Sequence, residues 1–414
     1  MSKIFPFTPF RYSEAAGPLV SVVTQPYDKI SPAMREKYLA QSPHNLVRII
    51  LGEPEQTDSP SNNVYTRAAQ HLREWIEGGI FVQDKEPSLF AYFQEFRVPD
   101  TGQYLVRKGF IGLGQVEDYS ANIVYRHEQT LSGPKKDRLE LLRHTRAHFE
   151  QLFMLYPDPK GEIDAILDEA AQEPPTAQVA DEYGAEHRLW RISDPARIAR
   201  IQQLMADKNL LIADGHHRYE TALAFRNENP GKAGAAKVVM TFVNMHSPGL
   251  KILATHRLIS DLKGFDPEEF LQRAATAFRV ERINSTETLT KRWAESQPGQ
   301  CIIGVAISGG LYAFEAKNPT GELDVPVLHK ELIGGVLGIG EDQVREGKHL
   351  RYIRGLDSAE EEVRSGTAQI ALLLKPTSVQ QVADISFAGK VMPQKSTDFY
   401  PKLLSGLTVY KLED

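Results

Sequence analysis

Residues 210–223 read LLIADGHHRYETAL, and this stretch gives the clearest indication of how the chain folds. Its first four residues are apolar and predict a buried strand, and the residues after Gly215 predict a helix. A glycine at the switch lets a ligand approach the backbone closely. The first amides of a helix have no partner within the helix and carry the positive end of its dipole. The stretch therefore predicts a strand, a tight turn and a helix over residues 209–229, with an anion site at the helix start.

The residue types at this helix start favour phosphate as the anion. His216, His217 and Arg218 add up to three side-chain donors beside the free amides. The alternative is that Asp214 is an ordinary helix cap followed by two surface histidines, but the clustering of donors favours function. A metal site is the rival interpretation. Neighbouring helical side chains point about 100° apart, so the two histidines cannot easily share one ion. No His-Glu-x-x-His motif occurs, and no metal ligand is predicted among the side chains.

A second group of charged side chains spans residues 125–138. In it Glu128 follows His127, and a carboxylate beside a histidine is able to act as a general base toward a hydroxyl group. Lys136 and Arg138 follow, and they predict neutralisation of the charge on a phosphoryl group during its transfer. The alternative is a solvated charged loop, and the sequence leaves both interpretations open.

A third group lies at residues 392–403, which read MPQKSTDFYPKL. This mixture of cationic, hydroxyl and aromatic side chains predicts a segment that closes over an anionic ligand. The alternative is a loop whose aromatic side chains fill a core. The residues assigned here to a substrate or lid role are Lys395, Ser396, Thr397, Tyr400 and Lys402.

Composition sets the outer limits. The chain has 414 residues, more than one hydrophobic core usually holds, so two or three domains are expected. The net charge of −6 argues against sequence-independent binding of nucleic acid. The single cysteine, Cys301, excludes an internal disulfide. No secretory signal is recognised and no apolar run approaches the ~20 residues that span a membrane, so we expect a cytoplasmic protein with no membrane partner.

Hydrophobic patterning predicts helices and strands in mixed order. Residues 64–77 have apolar positions at helical spacing and predict a helix that ends at Gly78. Helical spacing also extends over residues 139–153. We expect an α+β fold with a mixed α+β domain over residues 1–260 and a second α/β region over residues 261–414 that packs back on the first. The predicted strands are 45–50, 88–98, 103–115, 238–245, 252–259, 302–316 as a hairpin, and 369–374.

Taken together, these motifs resemble a bacterial family catalogued as DUF1015, and the resemblance covers nearly the whole chain. It rests on the following ordered matches: Pro26-Tyr27-Asp28, Asn45-Leu46-Val47-Arg48, Arg126-His127-Glu128, Lys136-Asp137-Arg138, Asp214 to Ala222, Thr255-His256-Arg257, Met392 to Thr397, and Phe399 to Lys402. The Asp-Gly-His-His-Arg element is also similar to the nucleotide-phosphate motif of the ParB/sulfiredoxin superfamily, which includes free-serine kinases. The resemblance therefore implies a mixed sheet core with a ParB/sulfiredoxin-like nucleotide-binding unit.

The resemblance also implies a function and residue roles. The implied activity is a nucleotide-dependent phosphotransferase, a free L-serine kinase that forms O-phosphoserine from serine and ATP or ADP, with Mg²⁺ held through the phosphates. ParB-type serine kinases are shorter, so most of this chain has no counterpart in them. The implied catalytic residues are Glu128 as base, His127, His217 and Asp214. The implied phosphate-binding residues are Gly215, His216, His217, Arg218, Lys136 and Arg138.

Other functions stay open at this point. One is a nucleotide-binding switch of the ParB kind, in which the nucleotide controls partner binding. Another is a phosphoesterase or nuclease that uses His216 or His217 in hydrolysis, and a third is an interaction protein without catalysis. The oligomeric state is not predicted.

Overall fold

The computed structural model describes residues 1–99, 101–128, 130, 132–297, 299–318, 323–393 and 395–413. The strands are β1 (Ile4–Phe5), β2 (Phe10–Tyr12), β3 (Phe81–Gln83), β4 (Leu89–Arg97), β5 (Tyr104–Gln115), β6 (Val124–Tyr125), β7 (Ala147–His148), β8 (Leu152–Tyr156), β9 (Ala177–Ala180), β10 (Glu186–Ile192), β11 (Leu210–Asp214), β12 (Lys237–Asn244), β13 (Lys251–Leu253), β14 (His256–Ile259), β15 (Phe278–Ile283), β16 (Ile302–Ile307), β17 (Gly310–Ala316), β18 (Leu350–Ile353), β19 (Ile370–Leu373), β20 (Asp398–Tyr400) and β21 (Tyr410–Lys411).

The α-helices are α1 (Pro32–Gln41), α2 (Val47–Ile50), α3 (Val64–Glu77), α4 (Ser132–Thr145), α5 (Glu162–Ala170), α6 (Pro195–Met205), α7 (His216–Glu228), α8 (Pro267–Ala274), α9 (Thr286–Glu295), α10 (Asp324–Val327), α11 (Glu341–Arg345), α12 (Leu356–Arg364) and α13 (Val379–Phe387). A π-helix spans Leu328–Val336, and short 3-10 helices span Glu14–Ala16, Leu19–Ser21, Tyr27–Lys29 and Tyr119–Ala121. No helix in the described ranges is long and apolar enough to cross a membrane.

Nine of the described strands form one mixed sheet. Their order is β6-β11-β8-β12-β5-β4-β10-β9, and β1 pairs with β5. The β6/β11 and β8/β12 pairs are parallel, and the other pairs are antiparallel. Alternate residues of each strand face opposite sides, so the sheet has two cores. Phe153 and Leu211 lie in one core, whereas Met154 and Ile212 lie in the other, against α5, α6 and α7.

A second sheet of six antiparallel strands, in the order β15-β17-β16-β19-β14-β18, has its own core. Its strand β14 comes before the predicted boundary at residue 260, while the preceding strand β13 pairs with β20 near the C-terminus. After this sheet the chain returns to the first one. Phe399, Leu403 and Leu407 pack in a core of the large sheet. The fold is therefore a mixed α+β arrangement in which the end of the chain joins both sheets.

Three sequence predictions can be compared directly with these elements. The helix predicted at 64–77 is α3, and Asn63 caps its start through its side chain. The strand predicted at 45–50 is wrong. The short helix α2 lies there. Its buried residues Val47, Ile49 and Ile50 form too short an apolar run to distinguish a helix from a strand by periodicity. The helix predicted as far as residue 153 ends at Thr145, because Arg146 adopts a left-handed φ of 50° and strands β7 and β8 follow.

The other predicted strands also have counterparts. The strands predicted at 88–98 and 103–115 are β4 and β5, although Asp100 in the turn between them lies outside the described residues. The run 238–245 corresponds to β12, the hairpin to β16 and β17, and the late strand to β19. The run 252–259 is divided into β13 and β14, which belong to different sheets. Periodicity cannot indicate such a division, because both pieces are apolar.

Candidate active site

A cavity of about 290 Å³ lies where β11 passes into α7 and where the C-terminal segment, defined as residues 395–402, crosses this point. Three separate parts of the chain supply most of its wall. They are the strand-to-helix turn, the 3-10 helix Tyr27–Lys29 and the C-terminal segment. The charged and histidine side chains on the wall are Asp28, Lys29, Glu128, Asp214, His216, His217, Arg218, Arg354, Lys395, Asp398 and Lys402.

The start of α7 has the features of an anion site. Gly215 occupies the cap position with φ 95°, in the left-handed region, and no side chain caps the helix. The left-handed conformation favours glycine, and an added Cβ would also lie close to its neighbours, 3.0 Å from Leu152 Cδ2 and 3.1 Å from the guanidinium of Arg218. The uncapped amides of the first turn border the cavity, which is the arrangement that binds phosphate oxygens at helix starts.

A chain of ion pairs around the buried side chains of Lys402 and Asp398 forms the floor of the cavity. Lys402 Nζ lies 3.0 Å from Asp214 Oδ1 and 3.2 Å from Asp398 Oδ1. Arg218 Nη2 donates to Asp214 Oδ2 at 2.9 Å, and Arg354 Nε donates to Asp398. Each carboxylate is therefore held between Lys402 and an arginine, and Lys402 is shared by both.

These contacts fix the charge of the floor. Burial by itself would raise the pKa of Asp214, but Lys402, Arg218 and Lys29 outweigh it and hold that pKa well below the usual range. Burial likewise opposes ionisation of Asp398, yet Lys402 and Arg354 lower its pKa to about 2. The two carboxylates are thus ionised and neutralised by neighbouring cations, so they repel an approaching anion much less than free carboxylates would.

Glu128 lies on another side of the cavity in a different environment. It is partly buried, and its backbone is bridged to that of Met392 beside the C-terminal segment. Burial raises the pKa of Glu128 to about 7, although Lys395 acts in the opposite direction. A carboxyl group that titrates near neutral pH is suited to take a proton from a hydroxyl group. This is the property that a general base requires.

His127 is buried behind the cavity wall and does not line the cavity. Its Nδ1 lies 2.8 Å from the carbonyl oxygen of Ile212, which only accepts hydrogen bonds, so Nδ1 carries the proton. Its Nε2 then accepts a hydrogen bond from Thr397 Oγ1 at 2.8 Å. Burial lowers the pKa of His127 to about 4 and keeps the ring neutral. His127 therefore fixes Thr397, which does line the cavity.

His127, Glu128 and His216 each offer one possible metal-ligand atom, and these atoms lie within 4.8 Å of one another. From the sequence we considered only the neighbouring pair His216 and His217 as possible metal ligands, so we did not predict this group of three residues. In the folded chain His216 packs edge-on against His127 instead. His216 Nε2 accepts the backbone N–H of His127 at 3.4 Å, and His127 Nε2 is bonded to Thr397. Because these ring nitrogens already have hydrogen-bond partners, we assign the group to hydrogen bonding.

Several residues predicted for the site lie elsewhere. Lys136 lies outside the cavity, and so does Arg138, which bonds to the carbonyl of Ile50 and packs over the Tyr27 ring. Ser396 donates to the carbonyl of Pro393 and is buried, so it does not reach the cavity.

Tyr400 is also buried and lies outside the cavity, packed against Phe96 and Arg354. The positions of Lys136, Arg138, Ser396 and Tyr400 outside the cavity have one explanation. Charged and hydroxyl side chains in a motif are used for internal contacts as readily as for ligands, and the sequence does not say which.

The structure adds cavity residues that motif analysis did not select. Asp28 is exposed at the cavity and makes no hydrogen bond or ion pair with another described residue. The motif Pro26-Tyr27-Asp28 was a signal that could have pointed to it. Lys29 lies beside it, and Lys402 lowers the pKa of Lys29. Tyr183 and Arg354 also line the cavity. They come from a β9–β10 turn and the end of β18, where no local pattern marked them.

Comparison with solved structures gives weak likenesses. A free serine kinase in complex with AMP matches 70% of this chain and 88% of its own, at 14% identity and a TM-score of 0.40. A conserved hypothetical protein from Pyrococcus furiosus matches 69% and 91%, at 12% identity and a TM-score of 0.37. SbnI with a C-terminal truncation, from Staphylococcus aureus, matches 73% and 87%, at 11% identity and a TM-score of 0.39.

Comparison with curated protein sequences gives no match. The model of a protein family matches residues 4–332, a range that contains Asp28, Glu128 and the turn at Gly215 but ends before the C-terminal segment. The family is described as protein of unknown function (DUF1015), and this chain belongs to it.

Proposed function

We propose that this protein transfers the terminal phosphoryl group of ATP or ADP to the hydroxyl group of a small acceptor, free L-serine, and releases O-phosphoserine. One observation carries the proposal. The uncapped start of α7 and the carboxyl group of Glu128, with a pKa of about 7, face the same cavity. A phosphate-binding backbone and a base matched to neutral pH are the two elements that phosphoryl transfer to a hydroxyl requires.

The first step is binding of the nucleotide. The amides of His216, His217 and Arg218 donate to phosphate oxygens, and Gly215 permits the close approach. Lys402 neutralises Asp214 beneath them, so the anion does not meet an unpaired buried carboxylate. His217 is partly buried on the cavity wall and adds a side-chain donor.

The second step is transfer. Glu128 accepts the proton of the serine hydroxyl group. At the same time, the oxygen of that hydroxyl group forms a bond to the terminal phosphorus of the nucleotide. The bond between that phosphorus and the bridging oxygen breaks, and the bridging oxygen leaves with the electron pair on the shortened nucleotide. Lys395, exposed at the cavity on the side of Glu128, lies where it would balance the charge that develops on the phosphoryl oxygens.

Mg²⁺ fits the cavity as a partner of the nucleotide. Mg²⁺ prefers oxygen ligands and is usually bound by one or two carboxylates together with substrate phosphates. The exposed carboxylate of Asp28 is such a ligand, since no described residue bonds to it. When bound, the ion would offset negative charge between the phosphates. The identity of serine as acceptor rests on the resemblance of the motifs to those of free-serine kinases.

The test is a transfer assay with Mg²⁺, a panel of nucleoside di- and triphosphates and free amino acids, read by mass spectrometry. O-phosphoserine formed only with serine, together with the shortened nucleotide in equal amount, supports the proposal. Inorganic phosphate released without an acceptor would instead identify a phosphoesterase. Nucleotide binding measured by calorimetry without turnover on any acceptor would identify a nucleotide-binding switch.

A further inference from the structure

Arg107 on β5 is a fully buried cation, with 1% of its surface exposed. Its Nε donates to Gln94 Oε1 at 3.0 Å, and its Nη1 and Nη2 donate to the carbonyl oxygens of Tyr400 at 3.1 Å and Pro401 at 2.5 Å. Its guanidinium also lies 4.5 Å from the centre of the Phe153 ring. No described carboxylate forms an ion pair with it. The hydrogen bonds of Arg107 are thus directed to one amide side chain and to the backbone of the C-terminal segment.

This arrangement is costly. Burying a charge without an ionised partner is unfavourable, and burial lowers the pKa of Arg107 to about 9. An apolar side chain of similar size would avoid that cost in the middle of a sheet. The guanidinium offers in return several donors in a rigid, planar arrangement that can hold two consecutive carbonyl groups at once. The role of Arg107 therefore concerns the segment whose carbonyl groups it holds.

Gln94 extends the same contact by one residue. Its Nε2 donates to the carbonyl oxygen of Lys402 at 2.8 Å. The carbonyl groups of Tyr400, Pro401 and Lys402 are therefore all held by two side chains of the large sheet. The position of the Lys402 backbone determines where its ammonium group lies, and that group is 3.0 Å from Asp214 Oδ1.

A second buried arginine holds the other end of the C-terminal segment. Arg257 on β14 belongs to the six-stranded sheet and is 1% exposed. Its guanidinium donates to the carbonyl oxygens of Lys395, at 3.1 Å, and Thr255, and lies 5.4 Å from the ring of Tyr352. It too forms no ion pair with a described residue, and burial lowers its pKa to about 10. Each sheet thus contributes one buried arginine to the same segment.

We propose that Arg107 and Arg257 are positioning residues of the active site, which fix the two ends of the C-terminal segment so that Lys402 neutralises Asp214 beneath the bound phosphates. The functional part of this inference rests on the proposed nucleotide site. Arg107 acts on nucleotide affinity only through Lys402, because Arg107 itself does not line the cavity.

The first experiment does not depend on nucleotide binding. Hydrogen exchange, read by mass spectrometry on peptides that cover residues 395–406, compares the wild type with Arg107→Lys and Arg257→Lys. Leu167→Ala is the control, since Leu167 is fully buried in the other core of the large sheet. We expect exchange in residues 395–406 to accelerate at least about tenfold in both arginine variants and to change little in the control. Equal acceleration in the control, or none in the arginine variants, overturns the proposed fixation.

The second experiment is a double-mutant cycle on the Kd of the nucleotide, with Arg107→Met, Lys402→Met and the double variant. We expect Arg107→Met to raise Kd about tenfold in the wild-type background and less than about twofold in the Lys402→Met background. Two independent, multiplying effects would overturn the proposed route through Lys402. If the wild type binds no nucleotide, the proposed function fails, while hydrogen exchange still decides whether the arginines hold the segment.

Discussion

The two sides of the cavity are built in opposite ways. On one side, the turn from β11 to α7 places Asp214, Gly215 and three side-chain donors within five consecutive residues, next to the uncapped backbone amides of the helix start. On the other side, the C-terminal segment brings Lys402 to Asp214 from a point 188 residues later in the chain. Its position depends on buried side chains of both sheets. A local motif is thus readable from its sequence, whereas the surface that completes it is not.

The two sides of the cavity also differ in which of their charged groups are paired with other residues. Arg218 belongs to the local motif, yet its guanidinium is held by Asp214 and by the carbonyl oxygen of Gln151 at 2.6 Å. The free donors that remain on this side are mainly backbone amides. The C-terminal segment contributes one buried ammonium and one exposed one, at Lys402 and Lys395. Single-residue variants on each side of the cavity test this comparison between the local motif and the C-terminal segment.

The largest expected effect is at Glu128, whose backbone is bridged to Met392 beside the C-terminal segment. Glu128→Gln removes the proton acceptor without changing the size of the side chain. We expect kcat to fall by about 10²–10⁴-fold while the Kd of the nucleotide changes less than about twofold. Steady-state kinetics and calorimetry on the same preparation give both values, with Glu77→Gln on the exposed end of α3 as control. Full activity in Glu128→Gln would remove this residue as the base.

The next effect concerns the far side of the cavity. Lys402→Met leaves Asp214 and Asp398 without the buried ammonium group between them. We expect a loss of about 3 kcal/mol in the free energy of unfolding, because each carboxylate loses one of its cations while Arg218 or Arg354 remains. Denaturant titration measures it. Lys135→Met, which breaks a partly exposed pair with Glu220, should cost at most about 1 kcal/mol. Similar losses in both variants would contradict the buried bridge.

The near side is tested by Arg218→Ala. We expect nucleotide binding to weaken by about 1.5–3 kcal/mol, because Asp214 loses its charge-assisted contact with Arg218 and less of its charge is neutralised beside the phosphates. Arg138→Ala is the matched control. Arg138 was predicted as a phosphate ligand but packs over the Tyr27 ring, so its loss should affect folding stability more than nucleotide affinity. Calorimetry of both folded variants measures the Kd of the nucleotide and distinguishes the two effects. Unchanged affinity in Arg218→Ala would rule out its proposed contribution to phosphate binding.

The pH dependence gives a further comparison. Burial raises the pKa of Glu128 to about 7, and a base is active only when it has lost its proton. We therefore expect kcat at saturating nucleotide to fall about tenfold for each pH unit below about 7 and to level off above it. Rates measured from about pH 5.5 to about 8.5 test this. A rate that stays constant down to about pH 5.5 would show that no carboxyl group of this pKa acts as the base.

The smallest effect is expected at Lys136. It was predicted to neutralise a phosphoryl group but is exposed outside the cavity. Lys136→Ala should change the Kd of the nucleotide and kcat by less than about twofold, because an exposed charge away from the ligand is screened by solvent. A tenfold weakening of binding would mean that α4 closes over the nucleotide and would revise the description of the cavity. The same assays as for Arg218 apply.

Sequence patterns anticipated much of the fold where local signals are strong. The helix α3, the hairpin β4–β5 and the β11–α7 turn all follow from periodicity, caps and glycine. The pattern failed at α2, where three of the four residues are apolar and buried, and at Arg146, where a left-handed residue ends α4. In both places packing against distant residues outweighed local preference.

The candidate site also has one part that the sequence predicts and another that depends on packing. The sequence by itself determined the turn at Gly215, because glycine adopts that left-handed conformation without strain and because a helix start always offers free amides. It also named Glu128, but not the burial that raises its pKa.

Only the tertiary structure decided that His127 holds Thr397, that Arg138 lies away from the cavity and that Lys402 neutralises Asp214. The physical reason is that ionisation, hydrogen bonding and the position of a long side chain depend on which groups pack around it, and residues far apart in sequence supply most of those groups.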